Sequence, residues 1–396
     1  MRRSKSVILS GKKIGDLVLK NRIIKAGCFE GMSPEGGVSP QLIAHHTQIA
    51  AGGVAMTTVA YTSVSMDGRA YPHEMWMRRE LVPELKKLTS SVHRQGAAAS
   101  VQLGHCGYFA SRAVIGRKPV GASAGFNLFR LSFCRAMSRK DIGEKVSNFT
   151  QAAETAREAG FDAVEIHAGH GYLLSQFISP YTNKRKDEYG GSLENRMRFP
   201  MQVVESIRNT LGEGFPVLVK MNLYDGFRGG LVLNDAVRVA QMFEKAGANA
   251  LVPSSGFTSK TPFMMLRGNV PVEEMVANQK NLLTKTGLRL FGKIVVEEIP
   301  FRRLFHLKDS AKILAAVDIP VVYVGGVVTE EDVLDVLEAG FSFVQMGRGL
   351  IREPGFVKNL QEHLQQPEPL CDHCNRCVAA MDAGGVYCVS QKQGFI

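Results

Sequence analysis

Residues 164–177 read VEIHAGHGYLLSQF, and six consecutive positions hold His167, His170 and Tyr172. The stretch begins as a buried strand and ends as a helix, so three polar rings mark the junction between them. Two imidazoles and a phenol there make a cluster of hydrogen-bond donors. In an arbitrary strand the same residues would be core histidines satisfied by backbone carbonyls, beside a packed tyrosine. A second chemical pattern lies in two glycine turns, YVGGV at 323–327 and MGRGL at 346–350. Glycine lets backbone N–H groups approach phosphate oxygens, a following helix adds a favourable dipole, and Arg348 could add charge-assisted hydrogen bonds. The plainer alternative is a pair of tight strand ends. A third pattern is the tail CDHCNRCVAAMDAGGVYC, in which Cys371, Cys374, Cys377 and Cys388 are spaced C-x2-C-x2-C-x10-C. Clustered thiolates of this kind are metal sites far more often than accidents.

Such residues need a scaffold, and the chain supplies a repeating one. After Lys20, strand-like runs start at Ile23, Val54, Ala97, Asp162, Pro216, Asn249, Pro320 and Ser342, separated by helical patterns that commonly stop at Gly. REAGFDAVEIHAG, EKAGANALVPSSG and LEAGFSFVQMGRG share one grammar: a helix closed by Ala-Gly, a strand buried on both faces, and an exit through Gly. Alternating units of this type require parallel strands with right-handed crossovers, and eight of them predict an α/β fold, a (β/α)8 barrel with its site at the strands' C-terminal ends. A doubly wound sheet would carry a Gly-rich turn after the first strand, which IIKAGCFEG does not resemble. Two long loops, Gly104 to Ser138 after strand three and Gly256 to about Arg303 after strand six, emerge on the predicted catalytic face and are candidate lids. Residues 1–366 are read as the barrel and 367–396 as a Cys-rich tail packed on or near it.

The bulk numbers agree with a globular chain: 396 residues, 45% hydrophobic and 21% charged. No apolar run reaches membrane-spanning length, and the VIL of the opening MRRSKSVILSGKK is too short for a signal peptide, so the expected location is the cytoplasm, with no membrane partner. Net charge is +11, and no acidic residue stands between Glu84 and Asp141, while Arg112, Arg117, Lys118, Arg130, Arg135, Arg139 and Lys140 crowd the second half of that interval. This favours an anionic small molecule or a solvated basic loop; without stacking aromatics interleaved on one helix face, it does not predict nucleic acid. Seven cysteines argue against a secreted disulfide framework. Monomer and homo-oligomer both stay open.

LVLKNRIIKAG, VQLGHCG, FDAVEIHAGHGYLLSQFISPYTNKRKDEYGGSLENRMRF and VQMGRGLIREP resemble the old yellow enzyme family of FMN-dependent oxidoreductases, which includes the barrel part of 2,4-dienoyl-CoA reductase. The resemblance runs from about Ile14 into the tail and is weakest over 256–305. It implies FMN as cofactor and NADH or NADPH as reductant. Ala26, Gly27 and Cys28 would pack on the flavin, Gln102 would hydrogen-bond its pyrimidine edge, and Gly325, Gly326, Gly347 and Arg348 would hold its phosphate. Lys220 stands where the family commonly has Arg, a departure that exchanges a planar fork for a point charge. His167 and His170 would grip the oxygen of an α,β-unsaturated carbonyl or nitro compound, and Tyr172 would deliver a proton to its α-carbon. Cys28 would tune the flavin or be an inert buried thiol, and His105 would serve the site or merely order its loop. In the dienoyl-CoA reductase branch a similar tail binds a 4Fe–4S cluster fed by an appended domain. Here the third interval is one residue shorter, and zinc, a cluster serving a separate partner, or a metal-free thiol group stand beside it. The expected activity is thus that of an FMN-dependent ene-reductase. Its rivals are a partner-dependent dienoyl-CoA-type or amine oxidoreductase and a non-catalytic flavin-binding protein.

Overall fold

The computed structural model describes residues 5–278, 285–287, 289–290, 292, 297–363, 369–381 and 384–392. Eight strands form its centre: β1 (Ile23–Lys25), β2 (Met56–Ser63), β3 (Ala98–Gly104), β4 (Ala163–Ala168), β5 (Val217–Asn222), β6 (Ala250–Ser254), β7 (Val322–Val324) and β8 (Phe343–Met346). Each overlaps the run expected for it. Their order is β6-β5-β4-β3-β2-β1-β8-β7, and every neighbouring pair is parallel. A parallel bridge between Leu251 and Val321 joins the two ends of that order, so the sheet closes into the predicted (β/α)8 barrel.

The strands are apolar at the bottom and polar at the top, and this polarity is what makes a site. An N-terminal hairpin, Lys12–Ile14 against Leu17–Leu19, brings Ile14 and Leu19 into one cluster with Ile24, Met56, Ala163, Leu218, Val252, Val322 and Phe343. With a side-chain period of two, the next same-face positions along β4 are Glu165 and His167, and along β5 Lys220 and Asn222. The outer helices start where short polar side chains can cap them. Ser39, Ser138, Ser192 and Thr329 each accept a backbone N–H of the first turn, and Ser138–Asp141 and Thr329–Asp332 are full capping boxes. Each such cap contributes about 1 kcal/mol.

The long loops carry small elements of their own, as their lengths suggested. The loop after β3 holds a helix, Arg112–Ile115, and a three-stranded sheet of Val120–Gly121, Gly125–Asn127 and Ser132–Ala136. The loop after β6 holds a helix, Val272–Asn278, and a bridge between Gly268 and Ile299; much of its VANQKNLLTKTGLRLFGK stretch lies outside the described residues, as does the 366/367 domain boundary. The tail lies against that loop: Asn269 N donates to His373 O (3.2 Å), Asn375 Nδ2 to Asn269 O (2.9 Å), and Arg376 pairs with Glu274 (2.6 Å). Among the described residues no helix is long and apolar enough to cross a membrane.

Candidate active site

One cleft at the C-terminal mouth of the barrel, about 1300 Å³ including space open to solvent, is lined by Ala26, Gly27, Cys28, Gln102, Lys220, Gly325, Gly326, Gly347 and Arg348 together with His167, His170 and Tyr172. Residues spread over more than 300 positions of chain therefore meet at one place. The tail contributes His373, Cys377, Val378, Met381 and Val386, and the loop after β6 adds Met265, Leu266, Phe301 and Phe305.

The floor is polar and centred on a carboxylate. Glu165, fully buried, receives Gln102 Nε2 at 2.6 Å and Lys220 Nζ at 2.8 Å on Oε1, and Gln345 Nε2 at 2.6 Å on Oε2. A carboxylate only accepts, so both amides must turn their nitrogens to it and their carbonyl oxygens away. Gln345 Oε1 is in consequence buried without a partner among the described residues, in a residue that lines the cleft. An unpartnered acceptor beside a lysine suits a ring edge that carries both N–H and carbonyl groups, which is what the pyrimidine of a flavin presents. The floor fits FMN.

At the phosphate end the two glycine turns behave differently. Gly325 and Gly326 have φ of +134° and +73°, and a Cβ would come within 2.7 Å of His306 Nδ1 at the first and 2.6 Å of Arg302 O at the second, so only glycine fits this turn. The turn does not run straight into a helix; the next one, Glu330–Glu338, begins later and fills its own first turn with Glu330, Glu331 and Asp332. After β8 a short helix, Arg348–Arg352, follows Gly347 directly, with no acidic residue in its first turn. Arg348 lines the cleft, yet its Nη1 already donates to Arg267 O (2.8 Å) and to Asn375 Oδ1, which ties the tail to the barrel.

Above the floor the three rings of the opening motif converge. His167 and His170 have ring centroids 4.9 Å apart, and Tyr172 stands 4.8 Å from His167 at 89°. Gly169 N–H donates to His167 Nδ1 (3.3 Å), which leaves the proton of the neutral ring on Nε2. His170 takes a left-handed backbone (φ +57°), its N–H donates to Asn222 Oδ1 (2.9 Å), and its Nε2 meets Ser254 Oγ at 2.8 Å, so Nδ1 is the free nitrogen. Burial, reinforced by the neighbouring His170 and the Lys220 charge, holds His167 well below its ordinary pKa; burial and Lys220 bring His170 down to about 3. Both rings are neutral at pH 7. Burial moves the Tyr172 phenol the other way, well above 10, so it is a protonated acid. Tyr61, near the end of β2, places a second phenol in the cleft, with its ring 5.0 Å from Tyr172 and its hydroxyl beside the Cys106 thiol.

The sequence alone does not single out Glu165, Gln345, Tyr61 or Ser254. An acid in VEIH and an amide in FVQM, each inside an otherwise apolar strand, were the available signals for the first two. His105 takes the loop-ordering role: Nδ1 accepts Gly107 N–H (2.9 Å) and Nε2 faces Asp67 at 3.4 Å. Cys28 lines the cleft next to Gly347, with its thiol 2.9 Å from where a Cβ of residue 347 would sit.

The basic loop is less free than its composition suggested. Arg117 pairs with Asp67 (2.7 Å), Arg135 with Asp141 (2.7 Å) and Arg139 with Glu188 (2.7 Å). Arg130 instead lies over Tyr71 and Phe109, 4.7 and 4.3 Å from their centroids, with Nε and Nη2 buried and unpartnered; Phe109 is 6.2 Å from Tyr172. In the tail Cys371, Cys374, Cys377 and Cys388 are free thiols, and of these Cys377 lines the cleft. Among the described residues no three His, Cys, Asp or Glu side chains converge closely enough to hold a metal ion.

A closed parallel barrel whose polar floor suits a flavin's pyrimidine edge, with donors overhead, is an arrangement a flavin-dependent oxidoreductase can use. Residues 12–284 match the NADH:flavin oxidoreductase / NADH oxidase family, and the chain belongs to that family. It is an FMN-dependent NAD(P)H oxidoreductase of old yellow enzyme type. It is 36% identical over 378 residues to the 4,4'-dithiodibutanoate disulfide reductase of Rhodococcus erythropolis, which covers 95% of this chain and 93% of the relative. It is 30% identical over 379 residues to the NADH oxidase of Thermoanaerobacter brockii, covering 93% of this chain but only 52% of that longer relative. In fold it is similar to the old yellow enzyme homologue from Zymomonas mobilis, with TM-score 0.73 at 23% identity over 91% of this chain and 94% of that one.

Proposed function

We propose that this site reduces a C=C bond conjugated to a carbonyl or nitro group. The observation that carries the reading is the convergence of two neutral imidazoles and a protonated phenol over a floor that fits FMN. Gln102, Gln345 and Lys220 would hold the pyrimidine edge, and Gly325, Gly326, Gly347 and Arg348 the phosphate. Bound there, FMN supplies the hydride chemistry, accepting from reduced nicotinamide and donating to the substrate. The protein's own residues do the rest. His167 Nε2–H and His170 Nδ1–H converge on the substrate oxygen, which requires Ser254 to donate its hydroxyl to His170 Nε2. They polarise the alkene and stabilise the enolate-like charge that develops, as an oxyanion hole does. Tyr172 O–H then protonates the α-carbon. The test is a spectrum of the purified protein followed by NADPH titration under argon and then addition of 2-cyclohexenone. A flavin spectrum that bleaches and returns on enone addition is expected; a bound flavin that no nicotinamide bleaches would instead indicate a binding protein without turnover.

A second reading keeps the tail in play. The tail spacing C-x2-C-x2-C-x10-C is the pattern of a metal–thiolate site. That spacing supports an iron–sulfur cluster, or a zinc ion, at Cys371, Cys374, Cys377 and Cys388, with a separate partner delivering electrons, and binding would have to draw the four thiols closer together than they stand here. Iron measured on the same anaerobic sample decides it: about four irons per chain favours the cluster, and none removes it.

The substrate we infer carries an acid group. Arg130, whose charge also acts on the buried Glu74, leaves two N–H groups without a hydrogen-bond partner among the described residues one aromatic ring beyond Tyr172, and the Rhodococcus relative is named for a substrate with two carboxylates. Arg130→Ala should raise KM for a carboxylate-bearing enone roughly tenfold or more, the worth of a charge-assisted hydrogen bond, and leave 2-cyclohexenone within about twofold. Arg135→Ala should distinguish nothing, because Arg135 is already spent on Asp141. An equal rise for both substrates would sink the assignment.

A further inference from the structure

Glu165 touches no open part of the cleft, so it neither binds substrate nor moves a proton to it, and its chemistry must be exerted through its neighbours. We propose that Glu165 is a positioning residue that sets the redox poise of the flavin by cancelling the charge of Lys220 and turning the amides of Gln102 and Gln345. The inference rests on the reading that FMN lies on this floor.

The geometry makes Glu165 a hub. It sits on β4 two residues before His167, and its donors come from β3, β5 and β8, three different strands of the barrel. A carboxylate taken out of water costs several kcal/mol unless it is paired and hydrogen-bonded. Here the three donors within 2.8 Å meet that cost, and they are in turn fixed by it. Removing the acid would free both amides to rotate and leave Lys220, only 3% exposed, as a buried cation without its counter-ion.

The electrostatic consequence has a definite sign. Fixed positive charge under the pyrimidine ring favours the electron-rich, reduced flavin, and fixed negative charge opposes it. Lys220 and Glu165 are 2.8 Å apart and oppose one another, so their pair is close to neutral when viewed from the ring. His167 and His170 are neutral and do not disturb this balance. Neutralising the acid must therefore raise the flavin midpoint, and neutralising the lysine must lower it. Neutralising both must bring it back toward the starting value.

The experiment measures midpoints of the FMN-loaded enzyme by reductive titration against a reference dye, with FMN affinity followed separately by flavin fluorescence. Glu165→Gln is expected to raise the ratio of reduced to oxidised flavin at a fixed external potential at least tenfold, which is about 30 mV for a two-electron couple. Lys220→Met is expected to lower it by a similar factor. A residue with a purely structural role would weaken FMN binding without these opposite shifts. An E165Q midpoint that is unchanged or falls overturns the proposal. If E165Q does not hold flavin, K220M is compared with the K220M/E165Q double variant, where the second substitution must raise the ratio at least tenfold; no rise overturns the proposal equally. Absence of FMN from the wild-type protein would instead count against the flavin floor itself, which separates the two failures.

Discussion

Replacing Tyr172 with Phe will slow enone reduction by the reduced enzyme roughly 10²- to 10⁴-fold, the range for removing a positioned general acid, while reduction by NADPH proceeds at its normal rate. The asymmetry follows from what is removed. The substitution deletes one hydroxyl and keeps the ring that packs at 4.8 Å on His167 and 5.0 Å on Tyr61, so the cleft keeps its shape. Burial keeps the Tyr172 phenol protonated, so it is poised to give a proton and not to take one. Transfer from nicotinamide needs no such proton. Stopped-flow measurement of the two half-reactions separates them, and equal slowing of both would show that Tyr172 is structural. Tyr61 is the natural source of residual activity, because its phenol lines the same cleft with its ring 5.0 Å from that of Tyr172. Adding Tyr61→Phe to the first variant should remove most of what is left.

His167→Ala should lower kcat/KM for a conjugated ketone by roughly 10²–10³, as loss of one oxyanion-hole donor does, with little change in the rate of flavin reduction. His170→Ala should act in the same direction and also leave Ser254 Oγ without its 2.8 Å partner. The pH dependence discriminates between neutral and charged donors. With His170 lowered to about 3 and His167 lowered well below its usual value, neither ring gains a proton as pH falls from 8 to 5. Affinity for a neutral ketone should therefore be flat across that interval. A rise in affinity on acidification, with a midpoint near 6.5, would mean that imidazolium is the donor. Were the pair merely core histidines, the alanine variants would lower Tm and leave KM in place.

Much of this architecture was legible before any coordinates. Eight short apolar runs separated by helical patterns announce eight buried parallel strands, because a strand covered on both faces cannot alternate. The run from Glu165 to Arg198 is distinctive enough to bring the family, and with it the FMN cofactor, from the residues alone. Other features were not legible, and each depends on residues far apart in the chain. Gln345 reaches Glu165 across 180 positions, and Lys220 across 55. Whether a strand's lone acid is a catalyst, an error-prone core residue or a hub depends on which side chains the barrel closes around it.

The basic loop shows the same limit from the opposite side. Composition registers seven cations and no acid in the second half of the interval, but Asp67, Asp141 and Glu188, all outside it, neutralise three of them. Arg348 similarly carries a phosphate-binding spacing, while its contacts also tether the tail. Local pattern thus determined the elements, their order and the chemistry available at the mouth of the barrel, since periodicity and turn residues act over a few positions. Closure of the sheet decided which charges meet, which cancel and which are left facing the cleft, since Coulomb and hydrogen-bond partners are set by distance in space and not along the chain.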